Sequence, residues 1–252
     1  LNQPVKKPLI YLGLIFFLLF PLDTFPQRKV TQISQQWIQS YHKAELNHRW
    51  TALLDGGFRW RGGFTNPSSY IIRGGIGYSI LPNLRVATGF AHLGFYSQEK
   101  VILQEFRPYQ EIRYKSPLGK INLNQRIRIE ERLFKDRSIQ TPLSELDFNF
   151  RFRYSIMFGV PLFQLSAKNL NRKLILNLGD EVFLNVGKQV SSQFFDKNRL
   201  IISPTLQWNK ALSISITYNS QFASTPVADV FVQSNVAWLQ IRHNLDFSKS
   251  SD

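Results

Sequence analysis

The sequence predicts an all-β fold: an antiparallel, up-and-down transmembrane β-barrel of about 10 to 12 strands, behind an N-terminal signal segment. Three observations predict it. Apolar and polar residues alternate with period two over long stretches. Most of these stretches match or pass the roughly 9 to 11 residues that a tilted strand needs to cross a bilayer. The composition agrees: the 252 residues are 43% hydrophobic and 14% aromatic, with 21 Phe and one Met, too apolar a mix for a disordered chain and unusual for a soluble helical enzyme. Zero cysteines exclude a disulfide scaffold, a thiolate metal site, a thiol nucleophile and an iron–sulfur cluster.

Residues 1–27 are expected to be a signal peptide. Lys6 and Lys7 precede an apolar run from Leu9 to Phe20 that Pro21 ends. That run is too short for a spanning helix, which needs roughly 20 apolar residues. The small-x-small cleavage signature is missing from Leu22 to Gln27. Removing 1–27 takes away only two lysines and Asp23, so most of the formal +14 charge, from 31 Lys+Arg against 17 Asp+Glu, belongs to the barrel domain at 28–247. A tail at 248–252 completes the chain.

Candidate strands fall at 33–41, 46–61, 69–80, 84–95, 101–115, 119–134, 146–158, 172–187, 199–208, 211–220 and 236–247. The segment at 146–158 sets Leu146, Phe148, Phe150, Phe152, Tyr154, Ile156 and Phe158 against Asp147, Asn149, Arg151, Arg153, Ser155 and Met157. The segment at 119–134 sets Ile127, Ile129 and Leu133 against Arg126, Arg128, Glu130 and Arg132. A helix would gather neither set into a stripe. Tight links at 42–45, 81–83, 116–118 and 209–210 take turns with longer ones at 62–68, 96–100, 135–145, 188–198 and 221–235, while 159–171 is intermediate. Outer-membrane barrels have short periplasmic turns and long extracellular loops. Ten strands close consistently on this pattern. The segment at 33–41 makes an eleventh, and an even count then requires either ten strands or twelve. The last strand alternates Leu239, Ile241, His243, Leu245 and Phe247 with polar residues, and its final aromatic resembles the signal read by barrel-assembly machinery.

Several motifs carry a family resemblance. These are Gln36-Trp37, Leu46-Asn47-His48-Arg49-Trp50, Asp55-Gly56-Gly57 with Arg59-Trp60-Arg61, Arg73-Gly74-Gly75-Ile76-Gly77-Tyr78, Arg107-Pro108-Tyr109-Gln110, the run from Asn124 to Arg132, Asp180-Glu181-Val182-Phe183 and Asn198-Arg199. Together they resemble an uncharacterised family of Gram-negative barrel proteins, catalogued as domain of unknown function 2490, over about Gln36 to Phe247. The resemblance implies an outer-membrane barrel and supplies no activity and no catalytic residue.

If the apolar side faces lipid, the enclosed side receives Arg49, Asp55, Arg59, Arg73, Glu105, Arg107, Arg126, Arg128, Glu130, Arg132, Arg151, Arg153 and Glu181, with Glu111, Arg113 and Asp147 on the same face. An Arg or Lys facing hydrocarbon at the midplane costs roughly 2 to 4 kcal/mol, so these groups belong inside. They form either a structural network that fixes strand register or an electropositive passage for small anionic solutes. No cofactor and no metal are implied.

Two other classes of function compete. A lipid hydrolase or acyltransferase at the barrel rim needs a nucleophile, a base and an acid. Asp180-Glu181 is the acidic pair to test, but His42, His48, His92 and His243 carry no catalytic spacing. A soluble exported β-sandwich binding protein would instead pack Trp37, Trp50, Trp60, Trp208 and Trp238 between two sheets. In a barrel these rings, with Tyr70, Tyr78, Tyr109, Tyr114 and Tyr218, form interfacial girdles. Gly74-Gly75-Ile76-Gly77 lies in a strand with no following helix, which excludes a nucleotide fingerprint and leaves close packing. Nucleic acid is not an expected partner, because the basic residues alternate along strands. The expected partners are outer-membrane lipids, lipopolysaccharide at Lys135, Arg137, Lys188 and Lys197, and the assembly machinery.

Overall fold

The computed structural model describes residues 29–137, 147–187 and 194–248. The expected signal segment, residues 138–145 of the 135–145 link, residues 188–193 of the 188–198 link with Lys188, and the tail beyond Ser248 lie outside the described residues. Eleven strands follow one another: β1 (Lys29–Glu45), β2 (Trp50–Arg61), β3 (Asn66–Leu81), β4 (Leu84–Ser97), β5 (Lys100–Leu118), β6 (Ile121–Asp136), β7 (Asp147–Gln164), β8 (Lys173–Val186), β9 (Phe195–Gln207), β10 (Leu212–Ser224) and β11 (Val230–Asp246). Each pairs antiparallel with its sequence neighbours, and β1 pairs with β11 to close a single barrel. The two-sheet sandwich is thereby excluded.

The closure corrects the even-count expectation. An up-and-down barrel with an odd number of strands brings its first and last strands together pointing the same way, and β1 runs parallel to β11 from Lys29 opposite Val230 to Glu45 opposite Asp246. The segment read as a surplus strand is a full member of the wall. It is fastened at both ends, since Lys29 N donates to Asp229 O at 3.2 Å and Phe247 N to Glu45 O at 2.9 Å.

The strands outrun their apolar periodicity. β7 continues to Gln164, β10 to Ser224, and β11 starts at Val230, so the link between β10 and β11 shrinks to 225–229. The link between β4 and β5 is only Gln98-Glu99. Near the rims the hydrogen-bond ladder, not hydropathy, sets the strand ends, and the contrast of long and short links is weaker than the sequence suggests.

The barrel wears its greasy side outward. Ile216 is 70% exposed, Ile72 57% and Leu54 55%. On β7, Phe148, Phe150, Phe152 and Tyr154 are exposed, while Arg151 and Arg153 between them are buried. Polar side chains within this outer face are paired across strands: Asn198 Nδ2 donates to Asp180 Oδ1 at 2.7 Å, and Tyr154 Oη to Gln125 Oε1 at 2.7 Å. Inside, Gly75 faces Gly89 across β3 and β4. A Cβ on either would collide with the Tyr109 hydroxyl, so these glycines make room for an inward-pointing ring.

Candidate functional site: the charged interior

The interior has two walls of different chemistry. On β9, β10 and β11 most inward side chains are neutral, with Asp196, Lys197, Arg199 and Arg242 as the charged exceptions. Ser203 and Thr217 hydroxyls meet at 2.6 Å, Thr205 and Ser215 at 2.8 Å, and Gln240 Nε2 donates to Thr217 Oγ1 at 2.8 Å. On β2, β3 and β5 to β8 the period-two pattern stacks arginines and carboxylates on one side of each strand, and antiparallel pairing then sets Asp55 opposite Arg73 and Glu130 opposite Arg151.

Each interior carboxylate gathers guanidinium groups. Arg73 grips Asp55 bidentately, Nε to Oδ2 at 2.7 Å and Nη2 to Oδ1 at 3.1 Å, while Gln39 Nε2 adds a third bond to Oδ1 at 2.7 Å. Glu105 accepts from Arg107 Nε at 2.8 Å and Arg132 Nε at 2.6 Å. Glu111 accepts from Arg128 Nε at 2.9 Å and Arg113 Nη2 at 3.0 Å. Glu130 takes Arg151 Nε at 2.8 Å on one oxygen and Arg153 Nη1 at 2.6 Å on the other, with Arg107 and Arg128 both 3.7 Å away. Glu181 accepts from Arg153 Nε at 2.9 Å and from Arg126, and lies 3.6 Å from Arg199. Glu105 and Glu130 are completely buried. Such charge-assisted, often bidentate bonds hold the strands in register and give each of these five carboxylates a cation.

Nine of the thirteen expected residues therefore meet in one network, and Asp55 with Arg73 forms a separate pair beside it. Arg59 shares the interior but makes no ion pair among the described residues, its Cζ instead lying 4.2 Å over the Trp37 ring. Arg49 falls outside. The Asn47 side chain accepts from the Arg49 and Trp50 amides and builds a tight turn. Period two breaks there, and the Arg49 guanidinium lies exposed at the rim, donating to Tyr78 Oη at 2.7 Å. Asp147 is likewise exposed, at the start of β7.

Other positions correct the sequence reading. Lys197, taken as a rim group, sits in the wall beside Asp196 at 4.0 Å. Asp196 itself was hidden in a link. The β8–β9 register skips it between Lys197 and Phe195, a bulge that aims it at Arg151 Nη1, 3.1 Å away. Trp37, Trp238 and Tyr109 point inward rather than into girdles: Trp37 meets Trp238 edge to face at 5.3 Å, and Arg128 Cζ lies 4.4 Å over Tyr109. Phe183 is also inside, with Arg153 4.4 Å and Arg199 4.7 Å from its ring. Stacking on guanidinium lets an aromatic ring occupy a charged interior. Trp50, Tyr114, Trp208 and Tyr218 do point outward. The Asp180-Glu181 pair is split by its strand, Asp180 outside and Glu181 inside, so the two cannot work as a joint acid and base.

Between the walls lies a cavity of about 680 Å³, reaching from Arg132 and Lys197 to Asn209 and Lys210 at one rim. A second of about 600 Å³ opens at that same rim, beside Lys43, Arg85, Arg113 and Lys115. That mouth is basic, with Glu45 the one acid lining it among the described residues.

A single closed sheet with a charged interior and an apolar exterior defines a β-barrel protein. A family model described as "Protein of unknown function (DUF2490)" matches residues 34–231, and the chain belongs to that family. The match ends where β11 begins, so the closing strand lies almost wholly beyond it. No curated protein and no solved structure matches the chain.

Proposed function

We propose that the protein is an integral β-barrel of a Gram-negative outer membrane, exported by its N-terminal signal segment, whose arginine–carboxylate network braces a narrow passage for small anionic solutes. The carrying observation is the inversion of the fold, with isoleucine, leucine and phenylalanine exposed around the outside and arginine and glutamate buried within. A soluble monomer rarely exposes contiguous apolar patches beyond a few hundred Å², whereas a membrane barrel alternates apolar outward with polar inward. The basic mouth and the surplus of interior cations over carboxylates favour anions. On this reading the mouth at Lys43 and Lys115 is periplasmic. Lys135 and Arg137, near the opposite rim, remain the candidate contacts for lipopolysaccharide phosphates.

Cell fractionation and electrophoresis test the placement. The protein should require detergent for extraction and migrate differently before and after boiling. Release into buffer without detergent would overturn membrane insertion. In planar bilayers the passage should give conductance steps with anion preference, and a silent barrel would leave the network a purely structural role.

A further inference from the structure

Arg59 is the odd guanidinium of the interior. It makes no hydrogen bond or ion pair with any described residue, it lies against the Trp37 indole, and it opens on the larger cavity. Arg199 and Arg107 line the same cavity and carry the same sign. Arg199 leans on the same indole, its Cζ 5.3 Å from the ring. Its nearest carboxylate, Glu181 at 3.6 Å, already serves Arg126 and Arg153. Like charges held together in a wall of low dielectric repel strongly unless a counter-charge joins them. Among the described residues no carboxylate pairs with Arg59. A guanidinium fork matches two oxygens of one oxyanion, and a halide cannot use that geometry.

We propose that Arg59, with Arg199 against the same indole, binds a small doubly charged oxyanion: a phosphate, free or as the end group of a monoester. The site deepens the reading of the interior as accessible to anions and rests on it. The basic mouth supplies the route and the attraction, and Arg59 supplies the guanidinium fork.

The test titrates inorganic phosphate, and separately glycerol phosphate, into the full folded chain in detergent at low ionic strength, with chloride as reference. Saturable binding of either phosphate, absent for chloride, is expected, and the tighter of the two identifies the form. Arg59→Gln should weaken it roughly tenfold or more, the loss of a charge-assisted bond in a buried setting. Arg242→Gln removes the same charge elsewhere in the same cavity and should change affinity by less than about threefold. If both variants weaken binding equally, the effect is a diffuse field and the site is wrong. No saturable phosphate binding also overturns it. Should Arg59→Gln lose heat-modifiable migration, Arg59→Lys keeps the charge without the fork, and must still lose phosphate affinity for the proposal to stand. The outcome is separable from the passage: conductance without phosphate binding removes the site alone, and phosphate binding without conductance removes the passage alone.

Discussion

Glu130 shows how one side chain organises its surroundings. It is completely buried and takes Arg151 and Arg153 on separate oxygens, with two more arginines 3.7 Å away. Glu130→Gln preserves shape and removes the charge, leaving guanidinium groups buried without compensation. Breaking a buried ion pair from one side costs about 3 to 5 kcal/mol. The temperature at which the folded band converts to the unfolded one on a gel should therefore fall well below that of the parent, whereas Arg49→Gln at the exposed rim should leave it within error. Glu130 was legible because Arg128, Glu130 and Arg132 recur every second position. Asp196 was not, because a bulge obeys hydrogen-bond register and leaves no mark in hydropathy.

The same logic extends to pairs of strands. On the outer face Asp180 of β8 and Asn198 of β9 satisfy each other at 2.7 Å. Asn198→Leu alone strands a carboxylate against apolar neighbours and should destabilise by about 1 to 3 kcal/mol. Adding Asp180→Leu should recover that loss or exceed it, because replacing both partners by apolar groups removes the desolvation penalty. A double-mutant series of thermal midpoints measures it, and a double variant no better than Asn198→Leu would refute the pairing. β1 departs from the common pattern. It turns Trp37 and Tyr41 inward, where Arg59 lies 4.2 Å over the first ring and Arg242 5.0 Å over the second, and leaves Ser34, Gln36, Ser40 and His42 on the outside. A shift of one residue would exchange the two faces. The rule that the oily side looks outward reads most strands correctly and fails for the aromatic residues of β1, because rings are equally at home against guanidinium.

For the molecule as a whole, the existence of eleven strands was legible from periodicity, but their closure was not. Which ends meet depends on hydrogen bonds between segments about two hundred positions apart, on which alternation is silent. The parallel seam predicts that Ser40→Cys and Ile241→Cys, directly opposite each other, link under mild oxidation. The native chain has no cysteine to compete. Failure to link, with Ala52→Cys and Ala44→Cys linking across β1 and β2 as a positive control, would mean that β1 does not close the barrel. The seam has a further effect on how the chain addresses its environment. With an odd tally of crossings, Lys29 enters the wall at one mouth and Asp246 leaves it at the other. In the proposed membrane setting, a reporter joined ahead of Lys29 and another joined behind Phe247 would be answered from opposite compartments, so an impermeant protease applied to one side of an intact vesicle would trim one and spare the other.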